Sequence, residues 1–380
     1  MCTNLSKQDI IELIKQNDEE INEIDSIKQK IKSQPTDLVK NSLSREKLYK
    51  AVLFEDMHKD GFVMNYPHGI VVRQSDRKWH YRGENCCYPT SQPSFIRKLA
   101  NKTEEEIIVF EFISNMRLYE FFKILNRLKH FHEFRNLHFT HDNKQLYLDT
   151  LFYNIAQHYG FDTNWLDITS DFEVALFFAC CKFINNKWVP LTNQDFLKNI
   201  NTKFGRIFRR KTNDFRNMLF PEEKYVVFPV GFQPFMRCHM QYSYAIYMDE
   251  EMDLIKSETG FECLKFEHSE DLCNFIYSKT KNGEKIYPHE GLSSLNNELY
   301  QIQNSHQFST EAFFEVYKSL NFGYSEIDLK NILNKSGYTI GKSLVSISQA
   351  KIDLINEHYK SFDIEKTNNI KLCTRFTFTP

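Results

Sequence analysis

Hydrophobic residues in the first 60 positions recur at helical spacing. Ile10 and Ile14 begin a row of isoleucines that continues to Ile31, with charged residues between its members. Such spacing places the apolar side chains on one face of a helix. Pro35 interrupts the pattern, which resumes over residues 44–57. We therefore predict a helical hairpin that packs on the rest of the chain or on a partner.

From residue 61 onward, short β-like runs alternate with helices. Thr103 with Glu106 and Ser170 with Glu173 form capping boxes, and Gly160 provides a helix end. The predicted strands are residues 69–72, 79–83, 165–169, 225–230 and 242–248. The predicted helices are residues 103–129, 146–158 and 172–183, the last of them apolar on nearly every face and therefore buried.

After about residue 300 the pattern is again mainly helical. Helices are predicted at 310–320, 325–333 and 344–359, followed by a short polar strand at 372–378. The chain is thus predicted to be an α+β protein in three parts. These are an N-terminal helical segment (1–60), a central domain (61–300) and a C-terminal, mainly helical segment (301–380).

Charge narrows the range of functions. Lys and Arg total 48 and Asp and Glu total 50, a net charge of −2. This balance excludes a general polyanion-binding protein and an acidic solvating tail. A local basic stretch interleaved with Phe204 and Phe208 leaves two possibilities open, single-stranded nucleic acid binding or an internally paired face. Its cations are Lys203, Arg206, Arg209, Arg210 and Lys211.

Apolar stretches and cysteines bear on location. The longest apolar run is too short to cross a bilayer, and the N-terminus lacks a signal-like apolar region, so we expect no membrane association and a cytoplasmic protein. Nine cysteines occur without CxxC spacing, including the adjacent pairs Cys86–Cys87 and Cys180–Cys181. We predict reduced, mostly structural thiols.

Four histidines lie close together in the sequence, at His130, His132, His138 and His141. HxH and HxxH spacings can ligate zinc. The surrounding Phe, Arg and Asn residues are more typical of a helix end and a loop, so we expect no metal.

Three separated segments combine polar and aromatic residues in a pattern that carries chemistry. The first contains Tyr81-Arg82-Gly83-Glu84, and the second contains Gln157-His158-Tyr159-Gly160, Leu166-Asp167 and Ala175-Leu176-Phe177-Phe178-Ala179. The third contains Arg237 and Gln241. In this order the motifs resemble those of the FRG domain family, over about residues 65–300. Where that family usually has Thr-Arg-Leu-Leu-Asp-Trp-Thr, residues 163–169 read Thr-Asn-Trp-Leu-Asp-Ile-Thr, so the Arg after the Thr and the Trp after the Asp are both missing.

The motif order is also similar to that of the ADP-ribosyltransferase superfamily. This resemblance implies a split mixed β-sheet with flanking helices and NAD as the substrate. It assigns Arg82 to the first strand, Thr169-Ser170 to the second, and Gln241 to a later strand. It further implies a bacterial effector, toxin or anti-phage factor.

The candidate residues suit this chemistry on their own terms. The guanidinium of Arg82 can donate two parallel hydrogen bonds to a phosphate, and Gly83 lets a ligand approach the backbone. Tyr81 and Tyr159 can stack on nicotinamide, and the helix start at Ser170 offers N–H groups to an anion. The predicted catalytic residues are Gln241, His158 and Arg82. The predicted NAD-binding residues are Arg82, Gly83, Glu84, Tyr159, Thr163, Asp167, Thr169, Ser170 and Arg237.

Breaking the glycosidic bond of NAD develops positive charge on the ribose, which a carboxylate would stabilise. Gln241 offers only an amide dipole, so Glu84 or Asp167 would have to compensate.

The sequence leaves three hypotheses for the function. The first is an ADP-ribosyltransferase or NAD glycohydrolase, whose acceptor the sequence does not identify. The second is a non-catalytic module that binds a nucleotide or a nucleic acid. The third is a protein-interaction scaffold that uses its helical ends.

Overall fold

The computed structural model combines β-sheets with helices. It describes residues 2–32, 61–66, 69–74, 77–129, 131–132, 138–141, 144–185, 187–211, 227–230, 235–256, 259–320, 322–343, 345–360 and 374–377. Within these ranges the chain is an α+β protein, as predicted.

The strands follow one another throughout the chain. They are β1 (Thr3–Leu5), β2 (Gly61–Tyr66), β3 (Gly69–Gln74), β4 (Trp79–Glu84), β5 (His138–His141), β6 (Lys144–Asp149), β7 (Trp165–Thr169), β8 (Cys181–Ile184), β9 (Lys187–Pro190), β10 (Phe204–Lys211), β11 (Val227–Pro229), β12 (Ser243–Tyr247), β13 (Glu262–Glu267), β14 (Gln307–Ser309), β15 (Thr339–Gly341) and β16 (Thr374–Thr377).

The described residues also form α-helices and short 3-10 turns. The α-helices are α1 (Lys7–Lys32), α2 (Ser94–Leu99), α3 (Glu104–Asn126), α4 (Phe152–His158), α5 (Phe172–Cys180), α6 (Asn193–Lys198), α7 (Met236–Met240), α8 (Glu270–Lys279), α9 (Asn296–Gln303), α10 (Thr310–Ser319), α11 (Glu326–Lys335) and α12 (Gln349–Lys360).

The main sheet has seven strands in the order β1-β13-β10-β4-β7-β12-β11. It is mixed, because β1 runs parallel to β13 whereas the other neighbours are antiparallel. The strands β4 and β7 share a single residue pair, Tyr81 with Thr169, whereas β4 pairs with β10 along its whole length. The pairing of β4 with β7 at the centre of the sheet is therefore its weakest. Beyond that pair, the facing edges of the two strands are not joined by ladder hydrogen bonds.

Helix α5 lies behind this sheet and forms the middle of a core cluster. Its residues are buried apart from Phe178, and they pack with side chains of α1, α8, β10 and β13. The N-cap is Asp171 rather than the predicted Ser170, because the Asp171 carboxylate accepts the N–H groups of Glu173 and Val174. The helix also ends earlier than predicted, since the chain turns at Cys181 into the β8–β9 hairpin.

The C-terminal helices pack along α3. The first half of α3 packs against α10 and α11, and its second half packs against α4, α9 and α12. The predicted capping box of Thr103 and Glu106 is confirmed. The predicted helix 146–158 is partly wrong, because β6 occupies its first residues and α4 begins only at Phe152. The segment 44–57 lies outside the described residues.

A disulfide joins Cys2 to Cys263. This corrects the prediction of reduced thiols for these two residues. The physical reason is the parallel pairing of β1 with β13, which brings the two Cα atoms within 4.5 Å. The adjacent pairs Cys86–Cys87 and Cys180–Cys181 carry free thiols, as predicted. Within the described ranges, no helix is both long enough and apolar enough to span a bilayer.

Candidate functional site

A cavity of about 470 Å³ opens beside the point where β4 and β7 stop pairing. This volume is typical of small-molecule sites. We call it the Arg82 cavity. The sequence-predicted residues on its wall are Arg82, Gly83, Glu84, His158, Asp167, Thr169 and Gln241. The fold therefore brings together three segments that are up to about 160 positions apart in the chain.

Arg82 spans the gap between the two strands. Its Nη1 donates a hydrogen bond to the backbone oxygen of Asp167 at 3.0 Å, and its Nε donates to Glu84 at 3.3 Å. The guanidinium side chain remains 19% exposed. Arg82 is thus held by two partners and still presents a charged edge to the cavity, where it can contact a phosphate.

Glu84 is fully engaged inside the protein. One carboxylate oxygen accepts from Ser91 at 2.6 Å and from Arg82, and the other accepts from Arg206 at 2.6 and 3.2 Å. The side chain is only 3% exposed. Glu84 therefore fixes Arg82 and neutralises Arg206, and it is not free to compensate for the amide of Gln241.

Gly83 is needed for packing of the strand on helix α5. A Cβ atom at this position would lie 1.7 Å from the backbone oxygen of Ala175. The sequence-based explanation, a close approach of ligand to the backbone, is therefore incomplete. The close approach that demands glycine is that of α5.

Thr169 ties the second strand to the segment that carries Gln241. Its Oγ1 donates to the backbone oxygen of Gln241 at 2.7 Å and accepts from the Asp171 N–H at 3.0 Å. Gln241 caps the C-terminus of α7 instead of opening a strand, and its Nε2 donates to the backbone oxygen of Ile286. Both side chains are buried, so they fix the shape of the cavity wall and expose little surface to a ligand.

The N-terminus of α5 does not offer free N–H groups to an anion. The Asp171 carboxylate takes them with one oxygen, and its other oxygen accepts from Arg77 at 2.8 Å. Ser170 is buried beside this cap and does not line the Arg82 cavity. The predicted anion site at this helix start is therefore wrong, because a carboxylate already occupies it.

Asp167 and His158 form the ionisable centre of the cavity. The Asp167 side chain is 35% exposed, and its Oδ1 accepts from Asn154 at 2.8 Å and lies 3.7 Å from His158 Nε2. Burial lowers the pKa of His158, an effect that the nearby Asp167 opposes. His158 is therefore neutral near pH 7, and Asp167 is the carboxylate on this wall with access to the cavity.

Tyr159 and Arg237 lie on a second, larger cavity of about 1200 Å³, which we call the Arg237 cavity. The two cavities share a wall formed by His158, Phe183, Trp188 and Tyr287. Arg237 donates to the backbone oxygen of His158 at 2.7 Å. The sequence prediction placed Arg237 and Tyr159 with Arg82, but in the structure they line the neighbouring cavity.

Two more of the predicted residues, Thr163 and Tyr81, are engaged in contacts within the protein. Thr163 lines neither cavity and bonds to the Gln157 side chain and the Trp165 N–H. Tyr81 lines the Arg82 cavity, but its buried ring packs edge-on against Phe172. Burial also raises the pKa of the Tyr81 hydroxyl.

Sequence reasoning missed several residues of the site. Arg97 lies on the wall near Arg82, is exposed, and makes no recorded ion pair with any described residue. Asn154 orients Asp167 through the 2.8 Å bond described above. Phe178 and Trp188 supply the aromatic surface predicted for Tyr81 and Tyr159, with ring centroids 5.4 Å apart. A lone Arg on a short helix and a helical Asn carry no signal in one sequence.

The basic stretch forms strand β10, and its cations are used within the protein. Arg206 is buried on Glu84, Arg209 pairs with Glu262 at 2.8 Å, and Arg210 donates to the backbone oxygen of Thr259. Lys211 lies 5.6 Å from the Trp79 ring centroid. Arg206 is therefore not the exposed phosphate contact that the nucleic-acid hypothesis requires, and the internally paired alternative fits better.

One buried group among the described residues has the composition of a metal site, namely Cys180, His268 and Cys273. Both ring nitrogens of His268 lie 2.8 Å from backbone oxygens, those of Thr202 and Ala179. A metal would have to displace one of these contacts. Of the predicted histidine cluster, His132 is exposed and His130 lies outside the described residues.

Comparison with known proteins gives one match. Residues 77–187 match the FRG domain family, a range that contains Arg82, His158 and Asp167 but ends before Arg237 and Gln241. No curated protein and no solved structure matches the chain. The matched range thus includes the residues of β4 and β7 that line the Arg82 cavity, and the chain contains an FRG domain.

Proposed function

We propose that the Arg82 cavity binds NAD and that the protein cleaves the bond between nicotinamide and ribose, as an ADP-ribosyltransferase or an NAD glycohydrolase. The observation that carries the proposal is the convergence of Arg82, Thr169, Gln241, His158 and Asp167 on one cavity of about 470 Å³. Such a set joins a phosphate-binding cation to a carboxylate within one small-molecule site.

The cations suit the pyrophosphate of NAD. Arg82 is fixed in orientation by Glu84 and the Asp167 backbone, so it loses little side-chain entropy when it binds. Arg97, exposed on the same wall, provides a second positive charge for the second phosphate. Phe178, Trp188 and Tyr287 offer ring faces to the cationic nicotinamide.

Asp167 takes the role that Gln241 cannot fill. When the C1′–N bond breaks, the electron pair leaves with nicotinamide and positive charge develops on the ribose. A carboxylate held by Asn154 can stabilise that charge, since no proton has to move in this step. Gln241 then helps to fix the shape of the wall, and the ribosyl cation is captured by water or by an acceptor.

The test is to incubate the purified protein with NAD, follow nicotinamide release and measure NAD binding by calorimetry. We expect Asp167→Asn to retain NAD binding and to lose about a hundredfold in rate, equivalent to about 2.7 kcal/mol of transition-state stabilisation. Arg82→Gln should weaken NAD binding about tenfold or more. The matched control is Arg209→Gln on strand β10, which does not line the cavity. The absence of both binding and release would overturn the proposal.

A non-catalytic nucleotide-binding module is the second candidate. It is favoured by Gln241, whose amide carries no charge and already donates to the Ile286 backbone. NAD binding that depends on Arg82, combined with no nicotinamide release, would support this alternative.

A further inference from the structure

The Arg237 cavity is built largely from segments that lie outside the FRG match, which ends at residue 187. Besides the shared wall, it is formed by Asn185 and Lys187 of the β8–β9 hairpin, which lie within that match, by residues 282–284 and 287–289 and by helix α9. At about 1200 Å³ it is larger than the Arg82 cavity. It therefore has room for a second molecule beside one bound at Arg82.

The positive charges on this wall make no ion pair with a carboxylate of the described residues. The Arg237 guanidinium lies 4.3 Å from the Tyr159 ring centroid and 4.9 Å from that of Tyr287, and its Nε is buried without a hydrogen-bond acceptor. The structure records no ion pair within the described residues for Arg237 or for Lys187. Glu284, which is exposed, is the single carboxylate among the described residues of the wall.

A buried carboxylate, Glu290, acts electrostatically on Arg237 and helps to raise its pKa, but it is already hydrogen-bonded to other groups. Glu290 accepts hydrogen bonds from the hydroxyls of Tyr159 and Tyr359 and from the Met236 N–H. Both of its oxygens therefore already accept hydrogen bonds within the protein. Among the described residues, the guanidinium of Arg237 donates only to the backbone oxygen of His158. Its Nη groups therefore keep donors for an external anion such as a phosphate, whereas the buried Nε does not face the cavity.

The remaining wall is made of aromatic rings and side-chain amides. Rings of Trp188, Tyr287 and Tyr300 offer flat surfaces, and every nucleobase has a face that can stack on them. Amides both donate and accept hydrogen bonds, as the edge of a base requires. The amide residues on this wall are Gln157, Asn185, Asn282, Asn296 and Gln303.

We infer that the Arg237 cavity binds a nucleoside monophosphate, either free or as the 5′-phosphorylated end of a nucleic-acid strand. Arg237 and Lys187 hold the phosphate, and the base stacks against the aromatic wall. The site adjoins the Arg82 cavity. The two share His158, so a nucleotide here lies next to the reacting ribose.

If the proposed function holds, on which this step rests, the bound nucleotide is the acceptor. The C1′–N bond of NAD breaks with its electron pair on nicotinamide. An oxygen or nitrogen of the acceptor forms the new bond to C1′, and its proton passes to the neutral imidazole of His158. Burial, which lowers the pKa of His158, leaves that imidazole unprotonated and able to accept the proton.

The test measures binding of AMP by calorimetry, first alone and then with saturating NAD on the Asp167→Asn protein. We expect the same AMP affinity in both conditions. Lys187→Gln, an exposed position, should weaken AMP binding about tenfold, and Arg237→Gln should weaken it further. Arg82→Gln should leave AMP binding unchanged. Competition between AMP and NAD, or indifference to Lys187→Gln and Arg237→Gln together, would overturn the inference.

A second arm separates the two sources of the ligand. A 5′-phosphorylated oligoadenylate that binds more tightly than AMP, while its 5′-hydroxyl counterpart does not, would identify a strand end as the occupant. AMP binding with equal or greater affinity would identify the free nucleotide. AMP binding without any NAD binding would defeat the proposed function and leave this site standing. NAD cleavage without binding of AMP or either oligonucleotide would do the reverse.

Discussion

The two cavities share a wall but are constructed differently. The Arg82 cavity lies between two strands, and its buried carboxylate, Glu84, is paired with Arg82 on the wall and with Arg206 behind it. The Arg237 cavity lies among a hairpin, a loop segment and α9, and its cations lack carboxylate partners within the described residues. The first arrangement makes a rigid wall that also supports the fold. The second leaves polar groups available for a ligand.

The largest expected effect comes from the paired charges of the Arg82 cavity. Glu84→Gln removes the charge that neutralises the buried Arg206 guanidinium, so we expect a loss of about 3 kcal/mol in the free energy of unfolding. Urea denaturation measures it. Glu284→Gln is the matched control on the other cavity, because an exposed carboxylate should change stability by less than about 0.5 kcal/mol. Equal losses in both variants would contradict the contrast between the cavities.

The next effect tests the close packing of β4 on α5. Gly83→Ala places a methyl group 1.7 Å from the Ala175 oxygen, so strand or helix must move. We expect a loss of about 2 to 3 kcal/mol from overpacking, measured by denaturation. Gly341→Ala is the control, since no atom lies within 4 Å of the added carbon. A stable Gly83→Ala protein that lost NAD binding would instead favour the ligand-approach explanation for this glycine.

Much of the fold was predictable because its signals are local. Capping residues at Thr103 and apolar periodicity define helices from a dozen neighbouring positions, and strands β4, β7 and β12 were placed within a residue or two. The strand β10 was missed because its many cations suggested a surface. Its pairing with Glu84 and Glu262 depends on strands about 50 to 120 positions away, which no local pattern reveals.

The candidate site divides in the same way. Arg82, Asp167 and His158 belong to short motifs, so the sequence identified them together. Arg97 and Asn154 reach the site through helices whose sequences have no such motif. Arg82 and Arg237 line neighbouring cavities, and Trp188 of the β8–β9 hairpin lines both of them. Such a partition is a property of tertiary packing alone.

A smaller loss of stability is expected at the buried part of the Arg237 cavity wall, which we call its floor and which includes Tyr159. Tyr159→Phe removes a hydroxyl that donates to the buried Glu290 carboxylate, so we expect a loss of about 2 kcal/mol in unfolding free energy. Tyr300→Phe on the rim, where the side chain is 62% exposed, should change stability by less than about 0.5 kcal/mol. A loss confined to Tyr300→Phe would mean that the rim, and not the floor, supports the fold.

The smallest effect concerns pH and the shared wall. Burial lowers the pKa of His158 in the folded protein from its ordinary value of 6.5, against the opposing influence of Asp167. The unfolded chain therefore takes up a proton first, and this contribution to stability is present above about pH 6.5 and is lost as the pH falls below it. Because burial also lowers the pKa of His268, the loss of stability in the wild-type protein has two sources.

Urea denaturation between pH 5 and 8 should show a shallower loss of stability for His158→Gln than for wild type. His289→Gln, an exposed position on the Arg237 cavity, should retain the wild-type slope. Identical slopes for all three proteins would show that His158 is not held neutral by its burial, and the role of proton acceptor would have to pass to Asp167.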